Sequence, residues 1–160
     1  MAFHIAEIER DGADWQRLLE LAPVMEEPIQ ARLKMHLEWV LADHILASFD
    51  DASRTPMGVL RCVVQRIGED EQRPLIGHGS DPLTEGKVIH FEVLRANRGE
   101  GIGRSLMERA RDLAASEGCL QLRSRIWYTK AVANARLNLS MGAMNQPSLV
   151  DDSAYFIIPL

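Results

Sequence analysis

The sequence predicts a mixed α/β fold, one sheet with helices packed on it, and three observations carry that expectation. Apolar residues recur at two spacings along the 160 residues, alternating in some stretches and helical in others, with no internal repeat. Apolar residues make up 46% and charged residues 26%, the balance of a chain that buries an ordinary core. The elements fall in the order β-α-α-β-β-β-α-β-α-β, and no linker or low-complexity tract separates them, so residues 1–160 read as a single domain.

Each element has its own signal. Phe3 to Ile8 alternates as a first strand. Asp11 to Asp14 offers turn and N-cap chemistry, and Trp15, Leu18, Leu19 and Ala22 follow at helical spacing until Pro23. A second helix starts near Glu26, with Pro28 in its first turn and a stripe of Ile29, Leu33, Leu37 and Val40. Two apolar runs, Ile45–Phe49 and Met57–Val64, flank a turn-rich segment and read as an antiparallel pair. From Gly68 to Gly86 the chain is polar and long for a connection, a protruding loop or hairpin extension whose His78 and Asp81 could meet a substrate. A strand at Val88–Leu94 then leads through a glycine loop into a helix at Arg104–Glu117, with Gly118 placed for a left-handed cap. A strand at Leu120–Ile126, a short helix at Ala131–Leu139 and a strand at Ala154–Ile158 complete the order. The strand at Val88–Leu94 is expected to be central and partly parallel to Leu120–Ile126.

Composition excludes several classes. A net charge of −5 is a poor basis for general nucleic-acid binding. Cys62 and Cys119 lie in apolar runs without partners at metal or redox spacing, so buried reduced thiols and no metal site are expected. No apolar run approaches the ~20 residues that cross a bilayer. The N-terminus lacks a signal-peptide pattern, and the chain reads as cytoplasmic, with no membrane partner.

The chemistry concentrates in the strand–loop–helix unit from Val88 to Glu117. A helix start presents unpaired N–H groups and the positive end of its dipole. Gly99, Gly101 and Gly103 would let that backbone approach a phosphate. Gly99 to Gly103 encloses three residues, where the P-loop needs four and a lysine at Arg104. The dinucleotide pattern fails as well, since its last glycine would fall on Arg104 or Leu106.

What fits is Arg/Gln-x-x-Gly-x-Gly/Ala, met by Arg98, Gly101 and Gly103. With its flanks, Val93 to Met107 resembles the signature of the GNAT superfamily, the GCN5-related N-acetyltransferases. The resemblance implies a GNAT-like acyl-CoA acyltransferase fold, with acetyl-coenzyme A as cosubstrate. Its pyrophosphate would lie on the loop and helix start (Arg98, Gly99, Glu100, Gly101, Gly103 and Arg104). The strand residues Phe91 and Val93 would line the pantetheine and thioester. Two departures stand out. Glu100 puts a carboxylate beside a polyanion. Counting back from Gly142 puts Asn138 where the family has a thiolate-protonating tyrosine, and Tyr128 is a substitute only if the helix register slips.

Acetyl transfer to an amine needs a base to make the nitrogen neutral and a donor for the oxyanion. By resemblance that donor is a backbone N–H around Val93. Lys87 and Ile89 stand where some relatives carry their base, so no base is transferred. The candidates are His90 and Glu92, which share a face if no bulge intervenes between them. Trp15, Trp39 and Trp127 read as core or its edge, and Arg123 and Arg125 as a solvated strand face that could attract an anionic acceptor. The expected partner is a small-molecule or peptide amine, with homodimerisation left open. A different acyl transfer and a non-catalytic acyl-CoA-binding module remain as alternatives.

Overall fold

The computed structural model describes residues 2–21, 25, 29–69, 83–129 and 131–160. The strands are β1 (Phe3–Glu7), β2 (Ala42–Asp50), β3 (Pro56–Arg66), β4 (Thr84–Val93), β5 (Gln121–Trp127), β6 (Met144–Pro147) and β7 (Ser153–Pro159). The helices are α1 (Ala13–Glu20), α2 (Ile29–Lys34), α3 (Ile102–Ser116) and α4 (Val132–Ser140). All seven strands form one sheet in the order β1-β2-β3-β4-β5-β7-β6. The mixed α/β class is as expected, with β4 central and every pairing antiparallel except β4 with β5. The helix α3 connects those two parallel strands. No described helix is long and apolar enough to cross a membrane.

Several boundaries move for identifiable reasons. β6 adds a strand that Met144-Asn145-Gln146-Pro147 does not announce, because all four residues are exposed and show no alternation. α1 begins behind Gly12 at the N-cap, with no side-chain cap, instead of using an aspartate. The stripe expected to run to Val40 stops being helical at Lys34. There Arg61, fully buried on β3, donates to the carbonyls of Arg32 (2.6 Å) and Met35 (2.9 Å), closing the helix end. The loop expected from Gly68 shortens because β4 starts at Thr84. His78 and Asp81 lie outside the described residues, as do Pro23, Glu26 and Pro28.

Two apolar clusters lie on opposite faces of the sheet. One packs Ile102, Leu106, Met107, Ala110, Leu113 and Ala114 of α3 against Leu46, Leu60, Cys62 and Leu122. The other packs Trp15 and Leu18 of α1 and Leu33 of α2 against Ile45, Ala47, Phe49 and Val59. Both cysteines are buried free thiols, and burial pushes Cys62 up to about 12. α3 lies close on β4: a Cβ at Gly86 would come within 2.7 Å of the Ala114 Cβ. The expected cap at Gly118 is present, with φ 75°.

Candidate functional site

The site begins where the sheet fails to close. β4 and β5 pair only from Gly86 to Val88 and from Leu122 to Ser124. β4 then runs on to Val93 and β5 to Trp127 without pairing, and a cleft of about 1230 Å³ opens between them. A bulge lies at the same level. Arg61 faces His90 and Cys62 faces Val88, so Ile89 is the extra residue on β4.

That bulge decides the chemistry of each face. Without it, Val88 and His90 would point the same way. With it, Phe91 and Val93 join Val88 on the α3 side, packed on its core. His90 and Glu92 turn to the α2 side, opposite Arg61 and Val59. The Leu94 N–H donates to the Met57 carbonyl, so by alternation the N–H groups of Val93 and Phe91 point away from β3 and into the cleft.

At the α3 end of the cleft, Gly99 and Gly101 adopt φ of 90° and 84°, a region closed to most side chains, and Gly101 caps α3. The N–H groups of Ile102, Gly103 and Arg104 form the first turn, without intrahelical partners. Gly103 is small for another reason: a Cβ there would lie 3.2 Å from the Phe91 ring. Arg98 and Arg104 line the cleft on either side. Arg98 Nε donates to the Val93 carbonyl (3.0 Å), and Arg104 bonds Ser140 of α4 (2.7 Å). This is a cation-flanked anion cradle. The Glu100 side chain is exposed and does not line the cleft.

On the other face, His90 and Glu92 are both buried, with Nε2 3.8 Å from the carboxylate. They share a face as expected, because the bulge precedes both. Arg123 is a correction to the reading of a solvated strand face. It is buried, and Nε and Nη2 grip the Glu85 carboxylate at 2.7–3.1 Å. Arg125 stays exposed; its guanidinium meets Asp151 (2.7 Å) and lies 5.0 Å from the Trp127 ring centroid. Ser153 hydrogen bonds bring Asp151 down to about 2, so it stays ionised beside Arg125. Trp15 is core, but Trp39 and Trp127 are 45% and 39% exposed and line the cleft. Tyr155, opposite Arg125 on β7, also lines it and is not singled out by the sequence. Its neighbours on β7 are apolar, so its pattern is that of any core strand.

α4 supplies no phenol. Asn138 is fully buried, its amide N–H groups donating to the carbonyl and side-chain oxygens of Asn134, and it does not line the cleft. Tyr128 is no substitute: it packs edge-on against Phe156, accepts a bond from Asn145 and lies outside the cleft lining.

A parallel strand pair forks over a glycine-capped helix start, whose free N–H groups could hold an anion at that end of the cleft. The chain belongs to the acetyltransferase (GNAT) family, whose description matches residues 13–137. No curated protein sequence matches significantly. Among solved structures, NAA60 of Arabidopsis thaliana in complex with acetyl-CoA aligns with TM-score 0.71 and 16% identity, covering 99% of each chain. The GNAT domain of S. lividans PAT aligns with TM-score 0.69 and 17% identity over 98% of this chain and 89% of that one. The aminoglycoside antibiotic 6'-N-acetyltransferase of Acinetobacter haemolyticus aligns with TM-score 0.61 and 17% identity, covering 92% and 94%. At these identities the likeness is one of fold.

Proposed function

We propose that this chain, as a single-domain enzyme, transfers an acetyl group from acetyl-coenzyme A to a primary amine of a small molecule, amino acid or peptide. The observation that carries the reading is the β4–β5 fork, which opens at one end onto the α3 cradle and on the other face onto His90 and Glu92. The family supplies acyl transfer in general; the amine acceptor rests on the chemistry of the open face.

In this reading the backbone at Gly99–Arg104 holds the pyrophosphate, with Arg98 and Arg104 alongside and Phe91 and Val93 lining the arm. The cleft-facing N–H near Val93 stabilises the carbonyl oxygen as it gains charge. His90 removes the proton of the attacking amine, and Glu92 orients its imidazole and counterbalances the positive charge that forms on it. The C–N bond forms, the C–S bond breaks, and coenzyme A leaves as the thiol. The test is a panel of primary amines with acetyl-coenzyme A, read by release of free thiol and by the mass of the acetylated amine. Turnover above the no-acceptor rate supports the enzyme.

Asn138 favours a second reading, a non-catalytic acyl-CoA-binding module, because α4 lacks the phenol. Tight acetyl-CoA binding with no thiol release across the panel would select it.

A further inference from the structure

Ser124 stands on β5 at the last paired rung of the fork, opposite Val88. It lines the cleft and is only 4% exposed. Its Oγ makes no hydrogen bond among the described residues. A hydroxyl buried without a partner costs stability, and such groups are rare in folded chains. Its side chain shares the β5 face of Leu122 and Ile126, the side of α3 and α4. The strands separate directly beyond it. A carrier arm that enters from the cradle and threads the fork reaches this hydroxyl.

Ser48 is the internal comparison. It is also fully buried with an unpartnered Oγ, but it sits in β2, at the register shift beside Phe49, and does not line the cleft.

We propose that the Ser124 hydroxyl donates a hydrogen bond to the coenzyme A sulfur as the C–S bond breaks, in place of the phenol that α4 lacks. The inference rests on the acyl-CoA reading above and adds a residue to it. The step is a hydrogen bond and not a full proton transfer, because an alkoxide is far less stable to leave behind than a thiolate. The electron pair of the C–S bond goes to sulfur, Ser124 shares its proton with that charge, and solvent finally protonates the thiolate. A thiol has an ordinary pKa of about 8.5, so a donor to the thiolate both speeds departure and lowers that value in the bound product.

Three measurements test this, and the first needs no acceptor. Coenzyme A bound to the protein is titrated by thiolate absorbance in the ultraviolet. Ser124→Ala is expected to raise the pKa of the bound thiol by ~1 unit, from loss of a hydrogen bond to the charged form. Ser48→Ala is expected to leave it unchanged. Second, Ser124→Ala is expected to lower turnover by ~10- to 100-fold while the acetyl-coenzyme A affinity changes little, the signature of a bond made only as charge develops. It is also expected to raise the melting temperature of the free protein, because an unsatisfied hydroxyl has been removed; Ser48→Ala shares that gain alone. A bound-thiol pKa and a turnover both equal to the parent's would overturn the role of Ser124. Failure of the parent to bind coenzyme A would instead sink the acyl-CoA reading, so the two failures are distinct.

Discussion

The glycine loop and the forked strands sit along one cleft but are built by different means. The loop works through its backbone: positive φ at Gly99 and Gly101 and the first-turn N–H groups of α3, flanked by Arg98 and Arg104. The fork works through side chains gathered from β4, β5, β7 and the end of α2, and aimed by one bulge at Ile89. Each is therefore vulnerable in its own way. The loop should fail when backbone geometry or charge changes inside it and tolerate new charge on a side chain that points away from the cleft, such as that of Glu100. The fork should fail when single functional groups change while the fold stands.

The largest effect is expected at the fork. His90→Gln should lower turnover by roughly 10²- to 10⁴-fold, the range of a lost general base. Glu92→Gln should be milder. Parental turnover in His90→Gln would make the buried pair structural and leave the fork without a side-chain base.

Next comes the loop. Gly101→Asp imposes a left-handed φ on a residue with a Cβ and brings a carboxylate to the pyrophosphate, and acetyl-coenzyme A affinity should fall by at least ~100-fold. Calorimetry showing parental affinity would remove the cradle from the comparison altogether.

The third test concerns what holds the α2 wall of the cleft. Arg61 is wholly buried and bonds both oxygens of Asp43, at 2.9 and 2.7 Å. Asp43→Asn leaves that charge under-compensated, and the melting temperature should fall by an amount equivalent to roughly 3 kcal/mol. Burial alone would raise the Asp43 pKa, but the Arg61 hydrogen bonds and charge, with those of Arg10, outweigh it and hold the value below 3.8. A depressed folded-state pKa stabilises the fold above the unfolded value and loses that contribution as pH falls through the folded one. The parent's stability should therefore drop on acidification below about pH 4 more steeply than that of Asp43→Asn.

The smallest effect is expected at Glu100, exposed and outside the cleft lining. Glu100→Lys should tighten acetyl-coenzyme A by no more than ~threefold at low salt, fading as ionic strength rises. A tenfold change would mean that side-chain charge and not backbone governs the loop.

Residues 98–103 are legible in the sequence because a backbone site is written in consecutive residues: three glycines between a strand and an amphipathic helix leave few other uses. The fork is only half legible. His90 and Glu92 stand out as titratable groups beside the motif, but their face depends on the extra residue at Ile89, and a bulge leaves no mark on an alternating strand. Arg123 reads as solvated because alternation cannot foresee the Glu85 carboxylate, 38 residues away in the chain. Ser124 and Tyr155 read as ordinary strand residues.

Local periodicity is enough to dictate the order of the elements other than β6, and the glycine loop that opens α3. It dictates the parallel neighbour of β4 as well, since the connection between those strands is long enough to hold a helix. Packing in three dimensions sets where β4 and β5 part company, which face His90 takes, and which hydroxyls and aromatic rings line the opening. Those depend on inter-strand register, which a single displaced residue reverses for every side chain beyond it.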